Sequence, residues 1–430
     1  MTTIKNVMGI DKSFFNFKVK IRAFFYFLPE LLRGKINLRH FIAFLKRLLY
    51  FLGKMQHNKF VKIGKNTRVD LYCPGFPSKA FFTACRKFSA FEGKLPCTTV
   101  LISITSACKY HCMHCYQKHD KGRDTEIENL VGCVKKLQEM GIAFFNIEGG
   151  EPFLVYDRLL KVCQAIDDRS EIWVNSTGYG ITLDRLSELK RHNVTAIMFS
   201  LHTPVPEELN KFMGDDKAWD TMKAAVELCH KAGISVAFNS CLQVSDFYNG
   251  KFERIMEIVK EFNASIIQII KPKPSGGLLE IGIDPFTPED VCHIRSLVDR
   301  YNLEKQYKDY PSISAQIVEE DKSQFGCTAG GTDRFYINAK GDVQPCEFLN
   351  ISFGNIGEES FEGIYNRMRD CFKVPGECWL CEKYSSQVLE LYKKYNLKSL
   401  PLSPEISREV YEDWDRGNKT ELYEKIERIL

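Results

Sequence analysis

Residues 99–115 read Thr99-Val-Leu-Ile-Ser-Ile-Thr-Ser-Ala-Cys-Lys-Tyr-His-Cys-Met-His-Cys115. The first six form an apolar run of strand length, and three thiols follow at Cys108, Cys112 and Cys115. A cysteine buried for packing needs no fixed neighbours, whereas thiols this dense suit ligands converging on one inorganic centre. Three ligands leave one iron of a [4Fe–4S] cluster open, and that open iron is where chemistry is expected. His111 and His114 lie inside the loop, so a zinc site is the competing reading, although zinc prefers four closed tetrahedral ligands.

The strand ahead of the loop is the first of a series. Apolar runs recur at 99–104, 143–147, 171–175, 196–200, 235–240 and 265–270. Helix-like stretches near 127–140, 156–167, 183–192, 217–232 and 250–262 separate them. Such alternation predicts a parallel sheet with helices outside, and right-handed crossovers curl it toward a barrel with its site at the strands' C-terminal ends. The cysteine loop starts at that rim.

After the second strand stands Gly149-Gly150-Glu151-Pro152, where bare backbone can approach a ligand and a carboxylate can receive an ammonium group. Alone this is only a turn. One strand–helix unit after the cysteine triplet, it makes residues 98–272 resemble the radical S-adenosylmethionine (SAM) superfamily. The resemblance implies a [4Fe–4S] cluster on Cys108, Cys112 and Cys115 whose open iron chelates SAM, with Gly149, Gly150, Glu151 and Pro152 holding the methionine amino group. Ser176 and Ser200, at the ends of the third and fourth strands, would reach the methionine carboxylate or the ribose; each taken alone reads as a helix cap or turn residue. His114 stands where the family often has an aromatic that stacks on adenine. The implied chemistry is reductive cleavage of SAM to a 5′-deoxyadenosyl radical that abstracts hydrogen from an unactivated C–H bond, fed by an external low-potential donor of flavodoxin or ferredoxin type.

A second resemblance lies near the C-terminus. Cys327, Gly341 and Cys346, then Phe353-Gly-Asn-Ile356, then Cys378-Trp-Leu-Cys381, are similar to the SPASM/twitch extension of radical SAM enzymes. The resemblance implies one auxiliary [4Fe–4S] cluster on Cys327, Cys346, Cys378 and Cys381. A complete SPASM domain carries further cysteines after such a pair, and this chain has none after Cys381. Cys371 is read as a core cysteine, with ligation the alternative, and a four-thiolate zinc site is the competing reading for the set. Arg334 to Phe348 reads as a hairpin turning at Gly341.

The sixteen cysteines cluster rather than spread, and no secretory signal precedes them, which points to a reducing cytoplasm. Cys133, Cys163 and Cys229 read as core residues, whereas Cys73, Cys85 and Cys97 in the connector leave a substrate-side role open. The charge is unevenly divided. Residues 1–62 hold thirteen Lys/Arg against Asp11 and Glu30, about +11 of a total of +4. Within them, residues 13–53 read as two amphipathic helices with basic residues interleaved, lacking the apolar run of roughly 18–20 residues that spans a bilayer. They suit peripheral contact with the inner face of an anionic membrane, or an extension packed on the main domain; a nucleic-acid arm is disfavoured because the aromatics have helical spacing.

The expected fold class is thus α/β: a partial (β/α)6 TIM-like barrel at 98–285, preceded by a basic helical region (1–62) and a connector (63–97). A small α+β cluster-binding domain (286–384) and a helical tail (385–430) follow. Rim residues His202, Asn239, Gln268, Lys271 and Lys273 are candidate substrate contacts; the run at 271–277 reads as an anion site or a solvated exit loop. The family-weighted substrate is a peptide or protein. A membrane lipid or isoprenoid is the second reading, and an iron–sulfur electron-transfer or scaffold protein the reading from another class.

Overall fold

A computed structural model describes residues 4–92 and 94–430. Three short strands, β1 (Ile4–Val7), β2 (Phe60–Ile63) and β3 (Asn66–Arg68), form a small antiparallel sheet at the N-terminus. Two helices, α1 (Ile10–Leu32) and α2 (Leu38–Lys54), lie between β1 and β2. The Asn37 side chain caps α2 by accepting from the His40 amide at 2.8 Å.

The main sheet has nine strands: β4 (Thr99–Ser103), β5 (Phe144–Glu148), β6 (Glu171–Ser176), β7 (Val194–Ser200), β8 (Ser235–Cys241), β9 (Ile266–Ile270), β10 (Ser312–Ala315), β11 (Arg334–Ile337) and β12 (Val343–Gln344). Its order is β10-β9-β8-β7-β6-β5-β4-β11-β12. All neighbours pair in parallel except the β11–β12 hairpin. The six expected strands and the helices between them are present, and the sheet is an open, partial barrel.

The sheet does not stop at residue 285. Strand β10 continues it beyond β9, and β11 pairs with β4 on the other side, with Tyr336 opposite Leu101. The hairpin read from the C-terminal cysteines is therefore also an edge of the barrel, so the two cysteine regions share one sheet.

Strand alternation divides the side chains. Val100, Ile102, Phe145, Ile147, Val174 and Phe199 point out to the helices and are fully buried there. Inward, the first lumen positions are apolar: Phe144, Trp173, Ala196, Ala237 and Ile266 pack with Val61 and Leu71 of the N-terminal segment, which plug the bottom of the barrel. Arg68 fixes the plug. Its guanidinium pairs with Glu171 and lies 4.4 Å over the Trp173 ring. Further up the same strands the lumen turns polar, through Asn146, Asn175, Asn239 and Gln268.

The N-terminal helices pack on this plug. Phe15, Val19, Ala23 and Phe27 of α1 meet Phe41, Phe44 and Leu48 of α2 and the connector phenylalanines, and Leu422, Tyr423 and Ile426 join from the C-terminal tail. Three cations of the basic region serve this packing: Lys12, Arg47 and Lys59 are buried and donate to the carbonyls of Gln56, of Ile429 and Ala90, and of Tyr307 and Tyr310.

Candidate active site

The cysteine loop leaves β4 at the barrel's upper rim and is held at several points. The Asp124 carboxylate accepts from Thr105 Oγ1 (2.6 Å) and from the Ser106 amide (2.9 Å). The His111 amide donates to the Met213 carbonyl at 3.0 Å, and the Gly277 amide to that of Cys115 at 2.9 Å. Cys108, Cys112 and Cys115 all line one cavity of about 500 Å³ at the C-terminal ends of the strands. Burial pushes the Cys108 thiol up to about 11 and Cys112 to about 12. Without a cationic partner these thiols keep their protons, and a bound metal centre supplies the charge that removes them.

The Gly149–Gly150 turn fits against this loop because it has no side chains. A Cβ on Gly150 would lie 2.1 Å from the Ala107 carbonyl oxygen, and one on Gly149 2.6 Å from that of Thr105. The Gly150 and Glu151 amides donate to these same two carbonyls, each at 2.8 Å. Both glycines line the cavity. Glu151 and Pro152 stand just behind this lining. The Glu151 carboxylate is wholly buried and accepts from the Phe153 amide (3.1 Å), Ser176 Oγ (2.9 Å), the Thr177 amide (2.7 Å) and the Thr177 hydroxyl. These bonds tie the ends of β5 and β6 together, and the glycine backbone faces the cavity.

Ser176 and Ser200 both line the cavity. The Ser176 hydroxyl is committed to Glu151 and to the Gly178 amide at 2.9 Å. His114 sits edge-on to His202 (4.4 Å between ring centroids) and beside Phe212 (4.6 Å), and burial lowers its pKa to about 4, so the ring is neutral. His202 accepts from the Cys241 amide on Nδ1 at 3.1 Å, which leaves Nε2 to carry the proton. These rings form an aromatic wall.

Sequence reasoning missed the floor. Glu148, the last residue of β5, is buried and receives the Tyr116 hydroxyl and the Asn175 amide, each at 2.9 Å. Burial, reinforced by Glu347, raises its pKa to about 8. Arg334, at the foot of β11, pairs with Glu320 at 2.7 Å and reaches the same cavity as Glu347. The available signal was the inward period-two pattern: in Phe144-Phe-Asn-Ile-Glu148, the polar residues fall on the lumen side.

Lys271 and Lys273 are neither a free anion site nor a solvated loop. They pair with Glu382 at 2.9 and 2.8 Å, and the Lys273 ammonium lies 3.1 Å from the centre of the Trp379 ring. Further along the run, a Cβ on Gly277 would meet the Met113 carbonyl at 2.0 Å. Residues 271–277 thus clasp the rim cysteine loop at one end and the Cys378–Cys381 segment at the other.

Among the C-terminal cysteines, Cys327, Cys346 and Cys381 are buried and close enough for each to help raise the pKa of another. Cys378 is half-buried one turn before Cys381, near Gly417. Cys371 ends the helix Phe361–Cys371, where its carbonyl accepts from Arg416 at 3.0 Å. The three rim thiols line one open cavity and Cys327, Cys346 and Cys381 are buried, and thiolate is the ligand type that holds iron–sulfur clusters.

Comparison with known proteins agrees. Residues 102–257 match the radical SAM superfamily model, and residues 327–383 the model of an iron–sulfur cluster-binding (SPASM) domain. The chain is similar to the AdoMet-dependent heme synthase of Oleidesulfovibrio alaskensis, at 21% identity over 68% of this chain and 82% of that one. It is likewise similar to a probable GTP 3′,8-cyclase of Archaeoglobus fulgidus, at 22% identity over 63% and 94%. Among solved structures, Streptococcus suis SuiB bound to its precursor peptide SuiA shares the fold, with a TM-score of 0.54, 15% identity and 88% of each chain covered. The matched models and enzyme relatives replace the scaffold reading, and the SPASM match replaces the zinc reading of the C-terminal thiols. Residues 102–257 thus carry a radical SAM domain, and residues 327–383 an iron–sulfur cluster-binding domain that forms one edge of the barrel; the pair marks a radical SAM enzyme that uses a SAM-binding [4Fe–4S] cluster.

Proposed function

We propose that Cys108, Cys112 and Cys115 carry the SAM-binding cluster, that Cys327, Cys346, Cys378 and Cys381 carry one auxiliary cluster, and that the substrate is a peptide or protein segment. When bound, the reduced cluster and SAM supply a 5′-deoxyadenosyl radical able to take hydrogen from an unactivated C–H bond. Around that chemistry the chain's own residues orient and exclude. The Gly149 and Gly150 backbone and Ser200 face the amino-acid end of SAM, and His114, His202 and Phe212 wall the site against water. A flavodoxin- or ferredoxin-type protein is the electron donor.

The observation that carries the substrate reading is a set of unsatisfied polar atoms. Both amide atoms of Asn146, Asn175 Oδ1 and Glu347 Oε2 are buried at the cavity without a partner from the protein itself. A peptide group offers a donor and an acceptor to Asn146 at once. A hydrocarbon chain in the same place leaves each atom stranded, at a cost of about 1–3 kcal/mol apiece. SuiB, which has a similar fold, binds a precursor peptide, and this supports a substrate of that class.

The test is deuterium transfer. Reduced, reconstituted enzyme is incubated with SAM and deuterated candidate peptides, and 5′-deoxyadenosine is analysed by mass. Deuterium arriving from a peptide, with Asn146→Leu raising KM roughly tenfold, is the expected result. Deuterium arriving only from an isoprenoid or acyl lipid overturns the peptide reading.

A further inference from the structure

Helix α1 has two apolar faces. One is the packed face already described. The opposite one carries Ile10, Phe14, Phe17, Ile21, Phe25 and Leu32, recurring at intervals that keep them on one side of the helix. That side points to solvent: Phe14, Phe17 and Phe25 are 60%, 57% and 64% exposed, and Leu32 77%. The outward side of a helix on a globular protein is ordinarily polar, and a continuous apolar stripe there marks an interaction surface. On α2, Leu38 and Ile42 are exposed as well.

Charge identifies the occupant. Lys18, Lys20 and Arg22 are exposed along the borders of the stripe, with the Lys18 ammonium 4.9 Å from the Phe14 ring. Arg33 and Lys35 at the hairpin turn, and Arg39 and Lys46 on α2, are exposed too. Since Lys12, Arg47 and Lys59 are taken up inside the fold, it is this outer set that a partner meets. A second copy of the chain would bring the basic borders face to face. An anionic lipid surface accepts the apolar stripe and the bases together. No helix among the described residues is long and apolar enough to cross a membrane.

We propose that the outer face of α1, continued by Leu38 and Ile42, seats the enzyme on an anionic membrane surface with the helix lying in the plane of the interface. The apolar side chains enter the headgroup–acyl boundary, and Lys18, Lys20 and Arg22 meet lipid phosphates. The packed face of α1 holds this anchor rigidly to the bottom of the barrel, opposite the cysteine rim, so the active-site mouth faces away from the anchoring helix. The proposal is independent of the substrate.

The full chain is tested by sedimentation with vesicles of phosphatidylcholine alone or mixed with phosphatidylglycerol. Wild type is expected to pellet with the mixed vesicles, and less so as salt rises. Lys18→Ala/Lys20→Ala/Arg22→Ala is expected to weaken that binding about a hundredfold. Phe17→Glu/Phe25→Glu is expected to abolish it, with unchanged circular dichroism. If the double glutamate does not fold, the triple alanine variant decides alone. Wild type that ignores the anionic lipid overturns the proposal. So does a wild-type dimer that Phe17→Glu/Phe25→Glu converts to a monomer with no vesicle binding by either, because the stripe is then a contact between copies.

Discussion

The two cysteine regions share one sheet yet are built oppositely. At the rim, three half-buried thiols sit on a loop whose inner side is a cavity, and the facing turn is two glycines. At the C-terminal edge, Cys327, Cys346 and Cys381 are buried, with the Trp379 indole capping the Glu320 carbonyl at 3.0 Å beside them. The first arrangement leaves space at the metal for an exchangeable ligand. The second closes three of its four thiols off from one and leaves Cys378 half-buried. On the proposed assignment the difference would separate a site that reacts from one that stores or passes an electron, and residues 271–277 touch both.

The largest effect expected from breaking this contrast is at Cys112. Cys112→Ala should abolish 5′-deoxyadenosine release and lower the iron content from about eight to about four atoms per chain, as loss of one of two four-iron clusters requires. Release that persists breaks the assignment of the open site. Cys346→Ser should also leave about four irons, but with SAM cleavage retained and turnover of substrate lost. Equal loss of both activities would show that the two regions are one functional unit.

Gly150→Ala tests what makes the rim open. Its methyl would sit 2.1 Å from the Ala107 carbonyl oxygen, backbone against backbone, so the turn must separate from the cysteine loop. Displacement of that order costs about a hundredfold in a positioned reaction. SAM cleavage should fall by that factor while the iron content stays at the wild-type level.

Much of this was legible in the sequence for one physical reason. Strands buried on both faces, such as Val100-Leu-Ile102 and Ile266-Ile-Gln-Ile-Ile270, read as apolar runs broken at most by one lumen residue, and helices between them keep their own period. The cysteine loop and the Gly149–Gly150 turn were legible because their chemistry allows few residue types. The pairing of β11 with β4 was not, since it joins residues more than 230 apart and leaves no local pattern. Strand β10, Ser-Ile-Ser-Ala, is too short and polar to stand out. The four donors that hold Glu151, from the end of β6 and its own turn, were not legible either, because three of them come from residues 25 or 26 positions away. For α1, the sequence read as one amphipathic helix, and that apolar residues occupy an exposed side as well as the packed one emerged only from the fold.

The smallest effect expected lies at Glu148, on the floor of the open site. Its folded pKa, about 8, stands above the ordinary carboxylate value because burial penalises the charge and Glu347 adds repulsion, against the opposing hydrogen bonds from Tyr116 and Asn175 and the positive charge of Arg334. Between the unfolded value and about 8 the folded chain holds a proton that the unfolded chain has released, so stability falls as pH rises through that window and stays low above it. Glu148→Gln has no proton to lose. The ligand-free variant should therefore melt a few degrees higher than wild type at pH 8 and nearly level with it at pH 5. The Tyr116 and Asn175 contacts exist at both pH values, so only the difference between the two melting profiles reports the buried charge. An offset of equal size at both would mean that Glu148 is ionised throughout, and that the floor of the open site is wetter than its packing implies.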